Sequence, residues 1–303
     1  MAPTVPHFDD WAAQLTLAPK TVDQMKKDVR LMIKHFGTVE AITGQGVREW
    51  VRVLMRGAPA SQGIAAKPGA SESSIKRIVS FSRNFWGYLQ EIEKAPGELQ
   101  PFVVPSFSKK GSSKTSTGKG GWESFTPEEV VTVLNTAIEK GDHELADLIR
   151  LGMYSGARIE ELCALKVADC TDDAFSITDS KTDAGIRQVP VHSELVGVVQ
   201  RLKESSKNDY LLPGLTFNKY GDRSNAIGKR FGRLKQSLGF SDKKVFHSIR
   251  KTVVTQLESA GVSENLTADI VGHEKPRITY GLYSGGHSLA PMKEAIEKVR
   301  YPL

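Results

Sequence analysis

Hydrophobic residues recur every three or four positions along three stretches of the first hundred residues. The three stretches are residues 20–36, 47–55 and 73–92. In the first, Met25, Val29 and Met32 follow this spacing, and Gly37 comes directly after the stretch. Because an α-helix completes a turn every 3.6 residues, the spacing places these apolar side chains on one helix face. The pattern predicts a small, all-helical N-terminal domain over residues 1–100.

A segment rich in Ser, Gly, Thr and Lys interrupts this pattern at residues 106–121, with the sequence SFSKKGSSKTSTGKGG. Such a composition has too few apolar side chains to form a core and is typical of a flexible linker. We therefore assign residues 101–121 to a basic linker and residues 122–303 to a second domain.

The second domain combines helical patterns with two short strands. Its start, Thr126-Pro127-Glu128-Glu129, has the form of a capping box with proline at the first helical position. Helical spacing continues to about Leu165 and resumes at Ser193. Between them, Phe175–Thr178 and Ile186–Val191 predict two strands joined by a turn. The predicted fold is mainly α with a small antiparallel β-sheet (α+β).

Composition excludes several classes of protein. The chain has 303 residues, of which 39% are hydrophobic, and no apolar run reaches the roughly 18 residues that span a membrane. Only Cys163 and Cys170 are present, too few for a disulfide framework and without the partners of a zinc site. Neither a GxxxxGK[ST] loop nor the clustered carboxylates of a two-metal nuclease occurs. We expect a cytoplasmic protein with no membrane partner, no metal and no other cofactor.

The net charge of +6 is unevenly distributed along the chain. Residues 1–100 contain 13 Lys and Arg against 10 Asp and Glu, and residues 101–121 contain 4 lysines and no acidic residue. The rest contains 24 basic and 25 acidic residues. Many proteins are mildly basic, but this distribution favours a polyanionic partner such as nucleic acid. The candidate DNA-binding residues are Lys76, Arg77 and Arg83 on the predicted helices and Lys109, Lys110, Lys114 and Lys119 in the linker.

Four short motifs of the second domain carry polar side chains suited to phosphate chemistry. Arg158 and Glu161 lie three residues apart on a predicted helix, so they share one face. His247 and Arg250 have the same spacing on a later helix. The other two motifs are Lys181 beside the predicted turn at residues 182–185, and His273 followed ten residues later by Tyr283. Taken singly, each has an ordinary explanation: a surface ion pair, a solvated lysine, a chance HxxR match and a tyrosine packed in the core.

Taken in order along the chain, these motifs resemble those of the tyrosine recombinases, the phage-integrase-like and Xer-like DNA recombinases. SGARIEELCALK is similar to the family's first arginine motif and SKTDAGIRQVPV to its hairpin lysine motif. FHSIRKT is similar to its His-x-x-Arg box and VGHEKPRITYGLYSGG to its closing His-to-Tyr segment. The resemblance covers residues 122–300 and extends less fully to the N-terminal helices, which look like the family's SAM-like core-binding domain. It implies a tyrosine-recombinase catalytic domain over residues 122–303.

The resemblance implies that a tyrosine attacks the scissile phosphate, which forms a 3′-phosphotyrosyl link and frees a 5′-hydroxyl. Two tyrosines follow His273, Tyr280 after seven residues and Tyr283 after ten. The spacing typical of the family selects Tyr283 as the nucleophile and leaves Tyr280 as a core residue.

The other motif residues acquire roles from the same resemblance. Arg158 and Arg250 would bind the non-bridging phosphate oxygens and stabilise the developing charge. Lys181 would protonate the leaving 5′-oxygen. His247 would accept the proton of the attacking tyrosine, and His273 would donate a hydrogen bond to the phosphate. Glu161 would orient Arg158 or His247. No metal or ATP is needed on this account, because the cationic side chains supply the positive charge.

The resemblance also implies partners and a biological role. The partners would be duplex DNA carrying a specific recombination site, further copies of the chain in a tetramer on DNA, and accessory DNA-bending or directionality proteins. The closing motif looks more like mobile-element integrases than chromosomal Xer enzymes, which favours integration or excision in a bacterial or phage-derived, nucleoid-associated setting. Residues 288–299 predict a C-terminal amphipathic helix that packs either on its own domain or on a neighbouring protomer.

Two alternative functions stay open at this point. A type IB topoisomerase uses a similar set of residues to relax supercoils, although the His-x-x-Arg box and the small helical N-terminal domain favour a recombinase. A sequence-specific DNA-binding protein could keep the fold without catalysis, although all six polar residues expected of the enzyme are present.

Overall fold

The chain divides into two units, Met1–Ser116 and Thr117–Leu303, in the computed structural model. Each unit has its own hydrophobic core. The structure describes residues 7–57, 68–103, 121–180, 183–275 and 285–303.

Helices make up the first unit. They are α1 (Phe8–Ala13), α2 (Pro19–Phe36), α3 (Gly44–Arg56) and α4 (Glu72–Glu91). Helix α2 begins with Pro19 and ends at Gly37, whose φ of 80° is a conformation that residues with a Cβ avoid. The side chains of Thr43 and Ser71 cap the first turns of α3 and α4. The largest side chains in this core include Trp50, Phe85 and Trp86.

Helices also dominate the second unit. They are α5 (Pro127–Glu139), α6 (His143–Ser155), α7 (Ile159–Ala164), α8 (Val196–Ser205), α9 (Ser224–Ser237), α10 (Phe246–Ser259), α11 (Glu264–Val271) and α12 (Leu289–Ile296). The predicted capping box is confirmed: the Thr126 side chain accepts from the Glu129 backbone N–H, and the Glu129 carboxylate accepts from the Thr126 N–H.

One hairpin accompanies these helices in the described part of the chain. Strands β1 (Ala174–Ile177) and β2 (Arg187–Pro190) run antiparallel, with Ile177 opposite Arg187. The predicted strands extend one residue further towards the tip, to Thr178 and Ile186. The Ile186 side chain is 57% exposed, so no burial holds it in the ladder. The predicted fold class, mainly α with a small antiparallel sheet, is confirmed.

Packing within the second unit brings four points of the chain together. Helix α6 is buried along almost its whole length and packs against α5 and α10. Helix α10 also packs against α11, and α11 packs against β2. The turn after α6, the first turns of α10, the end of α11 and strand β2 are therefore neighbours.

The C-terminal helix α12 packs on its own unit. Met292, Ala295, Ile296 and Val299 are buried in the core of that unit. Of the two alternatives for this helix, the structure has the intramolecular one. Among the described residues, no helix combines the length and apolar character needed to cross a membrane.

Candidate active site

A sharp turn after α6 positions Arg158. Gly156 ends the helix with φ 62°, the left-handed region that favours glycine. A Cβ at this position would lie 3.2 Å from side-chain carbons of both Val253 and Val271. The chain therefore reverses tightly over α10 and α11, and Arg158 follows in an extended conformation just before α7. Its Nη2 donates to the carbonyl of Gly272, at 2.8 Å.

Glu161 fixes the other side of Arg158. The carboxylate is buried and accepts from the Arg158 backbone N–H at 2.8 Å and from its Nη1 at 2.6 Å. Burial opposes ionisation of this carboxyl, but hydrogen bonds and charge from Arg187, and then hydrogen bonds from Arg158, outweigh burial and lower its pKa. Glu161 is therefore an anion at neutral pH, and its contact with Arg158 agrees with the predicted orienting position.

Arg187 completes this cluster, although it was not among the site residues predicted from the sequence. It lies in β2, and its side chain is only 7% exposed. It donates to both Glu161 oxygens, at 3.3 and 3.1 Å, to the carbonyl of Ile270 at 2.8 Å and to that of Gly185 at 2.7 Å. One feature of the sequence points to it: Arg187 shares a strand face with Val189, which is buried, so its side chain lies on the inner side of the hairpin.

Arg250 is the most enclosed cation of the site. The residue is 2% exposed, and its Nη1 donates to the carbonyl of Gly156 at 3.0 Å. Its Nε and Nη2 are buried and have no hydrogen-bond partner in the described structure. Burial, followed by the positive charges of Arg158 and Arg187, lowers the pKa of Arg250 to about 9. The guanidinium stays charged at pH 7, and its two unpaired nitrogens are suited to donate to an anionic acceptor.

Two histidines lie next to these arginines, and both side chains are exposed to solvent. His247 lies one turn before Arg250 on α10, and His273 follows Gly272 at the end of α11. Partial burial, then the charges of Arg250 and Arg158, lower the pKa of both rings, that of His273 to about 4. Both imidazoles are therefore neutral at pH 7, and each offers one donor and one acceptor nitrogen.

Several predicted site residues lie outside the described residues. They are Lys181, Tyr280 and Tyr283 in the second unit and Lys109, Lys110, Lys114 and Lys119 in the linker. Of the six predicted catalytic residues, the structure thus brings together Arg158, His247, Arg250 and His273, with Glu161 beside them.

The three predicted DNA-binding residues of the first unit have protein partners. Arg77 donates to the buried carboxylate of Asp28 at 2.8 Å, and Arg83 donates twice to the carbonyl of Phe102. Lys76 forms an ion pair with Glu72, one turn earlier on α4. The contacts of Arg77 and Arg83 stabilise the unit itself, and a DNA-binding role for the three residues stays a prediction.

The arrangement as a whole suits an anion with several oxygens. Three guanidinium groups face one carboxylate, and the two neutral histidines add donors and acceptors at the rim. Among the described residues, no three His, Cys, Asp or Glu side chains are grouped so that they could hold a metal ion. A phosphodiester fits the charge and the donor geometry of guanidinium groups.

Comparison with known proteins agrees with the family resemblance of the sequence motifs. The family described as "Phage integrase family" matches residues 123–286, which is more than half of the chain. Tyrosine recombinase XerS of Streptococcus pyogenes serotype M49 is 25% identical over 307 residues, which cover 90% of this chain and 82% of that protein.

Solved structures share the fold. A lambda integrase dimer bound to a COC′ core site matches with a TM-score of 0.65 and 15% identity, over 88% of this chain and 94% of that one. The Tn1549 transposon integrase in complex with a circular intermediate DNA matches with a TM-score of 0.63 and 18% identity, over 97% of this chain and 98% of that one. With the family match over the segment that carries the arginine cluster, these findings establish that the chain belongs to the phage integrase family of tyrosine recombinases.

Proposed function

We propose that this protein is a site-specific recombinase that cleaves and rejoins duplex DNA through a 3′-phosphotyrosyl intermediate. The observation that carries the proposal is Arg250, whose Nε and Nη2 are buried without a hydrogen-bond partner among the described residues. Buried guanidinium nitrogens without a hydrogen-bond partner and without a counter-charge are costly, so an anionic partner is expected in the working state. The scissile phosphate of DNA supplies that partner.

Arg158 and Arg250 bind the non-bridging oxygens of this phosphate. Both are held by the protein before substrate arrives, Arg158 by Glu161 and Arg250 by the Gly156 carbonyl. A preorganised pair of cations stabilises the negative charge of the pentacoordinate state with little reorganisation. His273, which is neutral at pH 7, donates a further hydrogen bond from one ring nitrogen.

Tyr283 supplies the nucleophile of the proposed reaction. Its phenolic oxygen attacks phosphorus while the neutral imidazole of His247 accepts the phenolic proton. The bond from phosphorus to the 5′-oxygen breaks, and Lys181 protonates that oxygen. Rejoining is the reverse, with a 5′-hydroxyl as the attacking group. Because the phosphotyrosyl ester conserves the phosphodiester bond energy, the cycle needs no ATP. The arginine and lysine side chains supply the positive charge that a metal ion would otherwise provide.

The rest of the chain would hold the DNA. We assign residues 1–100 to a core-binding domain and residues 101–121 to a linker whose lysines contact phosphates. Lambda integrase has been solved as a tetramer bound to a Holliday junction, and the Tn1549 integrase with a circular intermediate DNA. By analogy, this chain assembles as a tetramer on two DNA sites in the cytoplasm and integrates or excises a mobile element.

A covalent trap tests the proposal. Selection of bound fragments from a genomic library first provides the DNA site, and a nicked suicide substrate of that site is then incubated with the protein. We expect a covalent protein–DNA adduct that Tyr283→Phe abolishes and that Tyr280→Phe, the matched control, retains. Absence of an adduct on a site that the protein binds would support the non-catalytic alternative, and loss in Tyr280→Phe alone would overturn the choice of tyrosine.

A second assay separates recombinase from topoisomerase. On a plasmid with two copies of the site, a recombinase yields deletion or inversion products that need both copies. Efficient relaxation of a supercoiled plasmid without the site, with no recombinant product, would contradict the proposal.

A further inference from the structure

The arginine cluster, which consists of Arg158, Arg187 and Arg250, shares one carboxylate unequally. Glu161 is the carboxylate that the described structure pairs with both Arg158 and Arg187, at 2.6 and 3.1 Å. Three guanidinium groups, counting Arg250, and one carboxylate leave two positive charges in the site. The distribution of those charges decides how much of each arginine is available to a phosphate.

Arg187 is unsuited to contact the DNA. Its side chain is 7% exposed, and its Nε, Nη1 and Nη2 all donate to protein acceptors. Arg250 differs, because two of its nitrogens have no partner in the described structure. Apart from its charge, which acts on Arg250 at a distance, Arg187 therefore affects the reaction through the groups that it touches.

The first of these groups is Glu161. A carboxylate and a guanidinium prefer a fork-to-fork pair with two parallel hydrogen bonds. Here Arg187 occupies both Glu161 oxygens, and Arg158 uses only Nη1 of its side chain on Glu161 while Nη2 donates to Gly272. Without Arg187, the buried carboxylate would take both ends of the Arg158 fork and neutralise it.

The second group is the backbone around the site. Arg187 joins the carbonyl of Gly185, near the hairpin tip, to that of Ile270 at the end of α11. Gly272 makes this position available, because a Cβ there would lie 2.6 Å from Arg187 Nη1. A single side chain thus connects the hairpin, the Arg158–Glu161 pair and the turn that precedes His273.

We propose that Arg187 is a positioning residue that neutralises Glu161, so that Arg158 keeps its charge and its donors for the scissile phosphate. This role rests on the proposed phosphoryl transfer. It differs from a purely structural role in one respect: the harm done by removing Arg187 comes from the unbalanced Glu161 carboxylate. Removing the charge of Glu161 should then restore part of the lost rate.

A double-mutant cycle tests this directly. The variants are Arg187→Met, Glu161→Gln and the double variant, and the measurement is the single-turnover rate of covalent adduct formation at saturating protein, below each variant's Tm. We expect Arg187→Met to lose on the order of 100-fold in this rate, because Arg158 is misplaced. We expect the double variant to be at least about tenfold faster than Arg187→Met, a coupling typical of residues in contact. A double variant as slow as Arg187→Met, or slower, would overturn the proposal.

Arg201 provides the matched control. It pairs with Asp147, another buried carboxylate that a second arginine, Arg150, also contacts. We expect Arg201→Met to lower Tm and to leave the adduct rate within about twofold of the wild-type rate, since it lies outside the site. If Arg187→Met does not fold, Arg187→Gln replaces it in the same cycle. Arg187→Lys keeps the charge, so its rate of adduct formation should be higher than that of Arg187→Gln.

A readout independent of catalysis separates this proposal from the proposed function. Carbon-13 NMR titration of Glu161 in Arg187→Met should show a carboxyl pKa above the wild-type value, whether or not the protein cleaves DNA. A wild-type protein that forms no Tyr283-dependent adduct would refute the recombinase mechanism. A wild-type protein that forms the adduct, together with an unchanged Glu161 titration in Arg187→Met, would refute only the role of Arg187.

Discussion

Two residues of the site, Arg250 and His247, lie one helical turn apart, and the proposed mechanism requires opposite protonation states of them. Arg250 must stay charged although it is buried, and its pKa of about 9 leaves it protonated at pH 7. In the proposed reaction His247 must stay neutral to accept a proton, and partial burial together with the charge of Arg250 lowers its pKa. In the proposed mechanism, one cation would therefore serve two purposes, since it would bind phosphate and keep the neighbouring base unprotonated.

This coupling predicts the pH dependence of DNA cleavage. At limiting DNA, the rate reports the free protein, in which the His247 pKa lies below its ordinary 6.5. We expect a constant rate from pH 7.5 down to about 6.5 and a loss only below that, as His247 gains a proton. At saturating DNA the bound phosphate offsets the nearby cations, so the acid limb should move to higher pH.

His273 gives the control for this measurement. Its pKa of about 4 keeps this ring neutral just below pH 6.5, where the first effect of His247 protonation is sought. We expect the His273→Gln variant to keep an acid limb below about pH 6.5, and the His247→Gln variant to lack it. An acid limb at or above pH 6.5 at limiting DNA, or one that persists in His247→Gln, would contradict the assignment of His247 as the base.

At the scale of secondary structure, the turn between α6 and α7 determines the site. Gly156 combines a left-handed φ with close neighbours on α10 and α11, and its carbonyl accepts the hydrogen bond that Nη1 of Arg250 donates. Backbone conformation, helix packing and the position of Arg250 therefore depend on one residue.

Substitution of this glycine should affect stability and activity together. Gly156→Ala costs about 1–2 kcal/mol for the left-handed conformation, and the added Cβ would press on Val253 and Val271 at 3.2 Å. The matched control is Gly141→Ala, which has φ 70° and no atom within 4 Å of the added Cβ. By thermal unfolding, we expect Gly156→Ala to be the less stable variant. Adduct formation should fall only in Gly156→Ala, and equal Tm losses with equal rates would contradict this account.

At the scale of the whole molecule, the net positive charge and the proposed catalytic residues lie in different parts of the chain. Residues 122–303 are nearly neutral, with 24 basic and 25 acidic residues, whereas the 21 residues of the linker range carry 4 lysines and no acid. General affinity for DNA and the chemistry of cleavage should therefore respond to different substitutions.

The salt dependence of DNA binding tests this division. Each phosphate contact contributes about 0.9 to the slope of log K against log salt concentration, so four contacts contribute about 3.6. We expect the quadruple change of Lys109, Lys110, Lys114 and Lys119 to Ala to flatten the slope by up to that amount. The quadruple change to Arg keeps the charge and should keep the slope. An unchanged slope in the Ala variant would refute phosphate contacts by the linker.

Features of the chain that depend on local spacing were predictable. The helices follow from apolar residues at intervals of three and four, and the capping box at Thr126 follows from residue types three positions apart. The pair His247–Arg250 was found because residues at i and i+3 share a helix face. Arg158 was predicted on the helix but lies just before it, and it meets Glu161 because the residue that precedes a helix contacts the third helical residue.

By itself, then, the sequence determined the helical architecture, the two-part organisation of the charge and the residue types of the site. Only the tertiary structure decided how those residues work together. Arg187 bonds to Glu161 across 26 residues and to Ile270 across 83, and Arg250 bonds to Gly156 across 94. The physical reason is that a short motif encodes interactions within one element, whereas burial, shared counter-charges and unpaired donors arise only when distant elements pack against one another.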